Sequence, residues 1–327
     1  MTAGHYMTGS IIAPEPIGNA LRAWGRQPSG RAKRRSRTRG FEFSRTRLVL
    51  PGDGGDSLAS AWGAHTPKRS TSDHRSIELA TMSDIHGDRL IRTEAHLSAP
   101  IDLVFSAWSD PDRLVQWYPE RVNGRLGLGD RVRFEWSSLG LELDLEIVEL
   151  LPGSRIAFCG DPGSGPQVQT VELSPSDSGT RMTIEHSGFI SADDAAGARS
   201  GWALAAAMLD EYLSRHCDMP RQCFGILGTT GVSREDVVSH YDPPTRLCPD
   251  LTGPVLAVTD RKEVLVRCDE IDGAVALRTF CSSGIVLFGA QMTSWSRRRE
   301  PTERLRQQLA DGVARLGTVL GGPVPSA

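Results

Sequence analysis

The feature that most constrains the fold of this chain is a word that occurs twice. "AWSDPDRL" at residues 107–114 returns as "HYDPPTRL" at residues 240–247. A stretch with the look of a short helix precedes each, "SAPIDLVFS" and "TGVSREDVVS", and an apolar run of strand character precedes each of those. A repeated supersecondary unit sets the architecture before any single element does. The pairing continues downstream: "IVELLPGSRIAFC" (147–159) aligns without a gap to "LAVTDRKEVLVRC" (256–268), and "VELSPSDSG" to "VALRTFCSSG". Gly188-Phe189 likewise aligns with Ser294-Trp295. The expectation is two units, 86–216 and 221–321. The second is degenerate, because it is shorter by about a hairpin between helix and strand pair and has no counterpart of Trp117-Tyr118.

Within the first unit, Ile91, Thr93, Ala95 and Leu97 alternate with Leu90, Arg92, Glu94 and His96, the pattern of a half-buried strand. Ser98 is placed to cap a helix opened by Pro100, along which Ile101, Val104, Phe105 and Trp108 form one apolar face. Asp110-Pro111 ends that helix, and a second short one presents Leu114, Trp117 and Tyr118. Then come alternating strands: Val132, Phe134 and Trp136 share one face, and Leu141, Leu143, Leu145 and Ile147 another. "RIAFCG" follows, and "QTVELSPSDSGTRMTIEHSGF" reads as a hairpin. Such alternation belongs to an antiparallel sheet with one wet face. The unit closes on a long helix with Trp202, Ala205, Ala206, Leu209 and Leu213 at helical spacing, and Leu305, Leu309, Val313 and Leu316 do the same at the end of the second unit.

Charge separates the ends of the chain. Residues 1–81 hold 13 Lys and Arg against 6 Asp and Glu, within a chain whose net charge is −3. The remainder is therefore acidic, which argues against nucleic acid as partner of the globular part. The basic segment, centred on "RAKRRSRTRG", shows no sustained period and is expected to be disordered: a solvated tail or, alternatively, a nucleic-acid or membrane-surface patch. Met82, just before the first strand, is an alternative start. No apolar run approaches the roughly 18 residues of a membrane helix, so membrane insertion is not expected. The six cysteines lack metal-type spacing, which points to reduced thiols in a cytoplasmic protein without cofactor or metal.

The order strand, two short helices, strands, long helix, with "SAPIDLVFSAWSDPDRLVQWYP", "ELLPGSRIAF", "TRMTIEHSGF" and "GWALAAAMLDEYL" in their places, resembles the SRPBCC superfamily. This START-like or helix-grip group includes the bacterial proteins similar to the C-terminal domain of the activator of heat-shock protein 90 ATPase. The resemblance covers about residues 88–215 and implies an α+β fold in which a bent antiparallel sheet grips the long helix. It also implies an apolar cavity between them, which in various members holds lipids, polyketides or other small apolar molecules.

The cavity candidates on this reading are Trp108, Trp117, Tyr118, Phe134, Trp136, Leu143, Met182, Ile184, His186, Trp202, Ala206 and Leu209; the same residues also read as plain core. His186 shares its strand face with Met182 and Ile184. It is expected to be either a hydrogen-bonded core histidine or an acid–base or ligand-fixing group. Glu142, Asp144 and Glu146 invite an acid–base reading, but their alternation with leucines marks a solvated outer face. Cys217 and Cys223 flank the link between units at a spacing that could close a redox loop. No catalytic triad or dinucleotide fingerprint is present, and "GDPGSG" at 160–165 is a loop. The expected function is non-catalytic binding of a small apolar ligand. The alternatives are a polyketide cyclase, aromatase or hydrolase acting on an apolar substrate, and a protein-binding module that stimulates a chaperone ATPase.

Overall fold

Residues 47–48, 90–162, 165–260, 262–282 and 285–321 are described by the computed structural model. The expectations for the basic tail and for Met82 lie outside them, except that the Arg47–Leu48 backbone pairs antiparallel with Leu141 and Glu142.

Period-two alternation builds the first sheet. β1 (Ile91–Leu97) buries its odd-numbered residues, as expected. α1 (Ile101–Ser109) and α2 (Pro111–Leu114) follow, then β2 (Arg121–Gly124), β3 (Arg131–Trp136), β4 (Leu141–Leu151), β5 (Arg155–Gly160), β6 (Gln167–Ser176) and β7 (Gly179–Ser187). The strands lie antiparallel in the order β1-β7-β6-β5-β4-β3-β2. α3 (Ala192–Glu211) closes the unit, capped where the Ser191 hydroxyl accepts from the Asp194 amide, and a π turn at Tyr212–His216 continues it. This is the helix-grip arrangement: a large antiparallel sheet against one long C-terminal helix.

Two local readings differ. Ser98 does not cap α1, because Pro100 itself occupies the cap position (φ −59°, ψ 147°) and leaves the serine two residues upstream. The Ser98 amide instead donates to Asp210 Oδ1 on α3 at 3.2 Å. The edge strand β2 escaped sequence reading, since only Val122 among its four residues is even half-buried and no alternation shows.

The second half runs β8 (Gln222–Thr230), α4 (Arg234–Tyr241), β9 (Val255–Val258), β10 (Val264–Cys268), β11 (Gly273–Ser282), β12 (Ile285–Ser294) and α5 (Arg299–Val319). Its sheet order is β9-β10-β11-β12-β8. That is the order of the first sheet read from the other edge, with no equivalents of β2 and β3. Asp110 and Asp242 terminate α1 and α4 alike, each in extended backbone with its amide donating four residues back, to Ser106 and Val238.

How the halves meet follows from strand alternation. Val264, Val266, Val275 and Leu277 point at α5 and join Leu305, Leu309, Val313 and Leu316 in one core. Their neighbours Leu265, Ala274 and Ala276 point the other way and belong to the core of the first unit, with Ala257 and Trp295. The back of the second sheet therefore lies on α3, which is gripped on one side and roofed on the other. A helix buried all round must lack a polar face, and from Trp202 to Leu209 α3 has no polar residue. Buried polar links tie the seam. Glu211 receives Arg267 at 2.6 Å, and the Ser200 hydroxyl donates to Glu263 at 2.9 Å. Arg221, between the units, donates to the carbonyls of Val115, Tyr118 and Pro119 and to Thr293.

Candidate ligand site in the first grip

α1, the turn after α2, β3, β5 and α3 each contribute rings to one place. Trp108 lies 4.8 Å from Trp117, 6.0 Å from Tyr118, 6.4 Å from Phe158 and 6.1 Å from Trp202 between centroids. Tyr118 stands edge-on to Phe134 and to Trp136, at 6.2 and 5.2 Å. Such edge and offset contacts are the favoured geometries of aromatic pairs. The indoles are satisfied without water: Trp117 donates to the Ala107 carbonyl, Trp136 to the Tyr118 carbonyl, and Trp108 faces Met182 Sδ at 3.3 Å. Met182, Ile184, Ala206 and Leu209 are fully buried members of the same core. Ring packs against ring through the middle of the grip. Phe158, on β5, belongs to this cluster and was not singled out by its strand pattern.

His186 is deep in this core, and both of its nitrogens are engaged. Trp202 Nε1 donates to Nδ1 at 3.1 Å, so the proton sits on Nε2, which donates to Gln167 Oε1 at 3.0 Å. Burial lowers its pKa to about 3, and the ring stays neutral at physiological pH. A histidine with both nitrogens committed to protein partners has neither a lone pair nor a proton to offer a substrate. Its role is to orient Trp202, and Phe189 covers it at 4.4 Å.

Burial is incomplete at one end of the cluster. Tyr118 is half-buried although Trp117, Phe134, Trp136 and Trp202 surround it. Desolvation by burial raises its phenol above the ordinary range, opposed by the charge of Arg278. Half-burial continues along the neighbouring elements. The cross-strand row through Phe134 agrees, since its partners Val122 and Leu143 are both half-buried. On α3, Gly201 and Ala205, one turn apart, are half-buried while residues 202–204 and 206–209 are buried. Tyr118, Val122, Leu143, Gly201 and Ala205 are thus the half-buried positions about the aromatic cluster.

Arg278 of the second sheet lies over Gly201. Its Nη atoms lie 3.5 and 4.0 Å from where a Cβ on Gly201 would stand. Sequence reading did not single out Val122, Gly201 or Arg278. The available signal was an arginine inside the otherwise apolar "GAVALRTF" strand, a position that buries charge only with a partner. Here Arg278 Nε meets Glu263 Oε2 at 3.4 Å.

A concavity of about 260 Å³ opens on the outer face of the first sheet between Asn123, Arg131, Arg133, Asp144, Glu146 and Cys159. Its charges are paired across strands, Arg133 with Asp144 at 2.7 and 3.0 Å and with Glu142 at 3.4 Å, and Arg131 with Glu146 at 3.8 Å. The acidic row is the wet face that alternation requires. Cys217 and Cys223 are both free thiols. Cys217 Sγ accepts from Arg113 at 3.3 Å, and burial pushes the Cys223 thiol up to about 11, which suppresses the thiolate a redox loop needs. Among the described residues no cluster of His, Cys, Asp or Glu could hold a metal ion, and no helix is long and apolar enough to cross a membrane.

With this geometry in place, comparison with known proteins bears on one segment. Residues 98–214 match the family described as activator of Hsp90 ATPase homolog 1-like protein. That segment runs from the residue before Ala99 to the π turn and so spans the helices, strands and long helix of the first unit. No functionally curated protein matches the chain. Solved structures similar to it include the protein MLL2253 from Mesorhizobium loti, 23% identical over 39% of this chain and 99% of that one, with a TM-score of 0.36. DynU16, from the dynemicin biosynthetic locus, is 18% identical over 72% of this chain and 99% of its own, with a TM-score of 0.37. The Aha1 dimer from Colwellia psychrerythraea is 20% identical over 38% and 95%, with a TM-score of 0.35.

Proposed function

We propose that this protein is a non-catalytic receptor for a small apolar molecule, taken up at the open end of the first grip against Tyr118. The observation that carries the reading is the set of half-buried apolar positions Val122 and Leu143 on the sheet and Ala205 on α3, with the half-buried Tyr118 ring. Pockets for small molecules combine such apolar walls with few polar groups. Acid–base chemistry has no support, because His186 is neutral with both nitrogens occupied. The second half is read as a shortened copy of the first, on the strength of its strand order and its matching Asp-Pro helix end. Its part is to roof α3 rather than to hold a ligand of its own.

The test is native mass spectrometry of the full chain purified under mild conditions, repeated with fluorene added as an apolar planar probe. A stoichiometric adduct that is lost on denaturation and absent from Ala205→Trp, in which the indole fills the mouth, is the expected result. A bare mass under both conditions removes the receptor reading.

A further inference from the structure

β4 outruns the strand on one of its sides. β3 pairs with residues 141–146, whereas β5 pairs only from Leu145 onward, opposite Gly160 at its own end. The Asp144 carbonyl points to the β5 side, 2.8 Å from where a Cβ on Gly160 would stand. Backbone groups two residues apart in a strand point the same way, so those of Glu142 face that side too, beyond the reach of β5. An uncovered edge of this kind is a template for another extended segment. Among the described residues, the backbone paired there is Arg47–Leu48, antiparallel, with Arg47 opposite Glu142 and Leu48 opposite Leu141.

The edge has a chemistry that selects its occupant. Directly opposed residues of an antiparallel pair share a face. The register therefore assigns position 47 to the wet face with Glu142, and position 48 to the inner face with buried Leu141. Carried two residues further, it sets Thr46 against Leu143 and Arg45 against Asp144. On the wet face Glu142 and Asp144 share the guanidinium of Arg133, and Glu142 is opposed across β3 by Glu135, a like charge. Arginines at 45 and 47 fall on these two carboxylates with the strand's own period of two. The word "RTR" also occurs at 37–39, but Gly40 follows it, whereas Leu48 follows Arg47 and meets an apolar position.

We propose that residues 45–48, Arg-Thr-Arg-Leu, form an added strand of the first sheet, held on the open edge of β4 by Glu142 and Asp144, and so fasten the basic segment to the globular part. This stands apart from the receptor reading. Amide hydrogen exchange of the full chain, read by mass spectrometry of its peptides, is the test. Exchange over 45–48 is expected to be about tenfold slower than over 31–40, as for amides that open only with the strand. Arg45→Glu with Arg47→Glu should remove that protection and speed exchange at Glu142 and Asp144, while β6 and β7 stay unchanged. Combining Arg47→Glu with Glu142→Arg should recover most of the protection, because the opposed charges are exchanged rather than lost. Exchange over 45–48 as fast as over 31–40 in the native chain overturns the proposal. Protection at either segment that survives the double reversal also overturns it, and assigns the edge to another occupant such as a second copy of the chain.

Discussion

The two long helices end the two units in the same topological position, yet their sequences obey different rules. α5 buries Leu305, Leu309, Val313 and Leu316 along one stripe and turns Arg304, Gln307, Asp311 and Arg315 outward or to the rim, because one sheet covers it. α3 runs apolar from Trp202 to Leu209 because two sheets cover it. The same contrast holds inside the grips. Rings of Trp108, Trp117, Phe134, Trp136 and Trp202 fill the first, whereas Val, Leu and Ile dominate the second. Against the larger sheet Tyr118, Val122 and Leu143 stay half-buried, whereas the smaller sheet packs α5 on one face and lays the other on α3. The two halves thus contribute differently: the first sheet curves around α3, and the back of the second sheet covers its other side, with Arg267–Glu211 and Arg278–Glu263 pairs at the seam.

The largest effect that would break this comparison concerns the roof. Glu263→Ala removes the carboxylate opposite buried Arg278 and should destabilise the chain by ~3–5 kcal/mol in urea unfolding. Glu149→Ala, in a pair with Arg155 in which both side chains are 38% exposed, should cost less than about 1 kcal/mol. Similar small losses for both would show that the second sheet is not seated on α3. An intermediate effect sharpens the contrast between core and mouth. Trp108→Ala should cost ~3–5 kcal/mol, as for a fully buried ring, and the half-buried Tyr118→Ala about half of that. Tyr118→Ala should in addition weaken fluorene binding measured by calorimetry.

The smallest effect is in the pH profile. His186 has a folded pKa of about 3 against an unfolded value near 6.5, so between these limits the unfolded chain binds the extra proton. Its contribution is complete above pH 6.5 and is lost as pH falls toward 3, at ~1.4 kcal/mol per unit in mid-window. His186→Gln can still accept from Trp202 and donate to Gln167 without titrating. Urea unfolding at pH 6 and pH 5 should therefore show a slope smaller by that amount; an unchanged slope would mean that the histidine is not held neutral.

Much of this was legible along the chain. Alternation placed β1, β3 and β4 and their wet faces, the Asp-Pro words marked both helix ends, and the apolar spacing of α1 and α3 brought Trp108 and Trp202 into one core. These are local signals, fixed by a two- or 3.6-residue period. Fraying positions were less legible: the cap at Ser98 failed because Pro100 takes the helix boundary, and β2 was silent because an edge strand buries almost nothing. His186 was placed on the inward face, but its tautomer needed Trp202 and Gln167 at hydrogen-bond distance.

The sequence by itself determined an antiparallel sheet folded on a long helix, and the faces of nearly every strand, because alternation is enforced by the backbone wherever one side must leave water. The tertiary structure alone decided that the back of the second sheet covers α3, that Tyr118 is left half-buried, and that Arg278 stands over Gly201. Those contacts join residues more than 70 positions apart, such as Gly201 with Arg278 and Tyr118 with Arg221. No local period encodes them. They arise only when two apolar faces, each legible separately, find that the lowest-energy way to leave water is against each other.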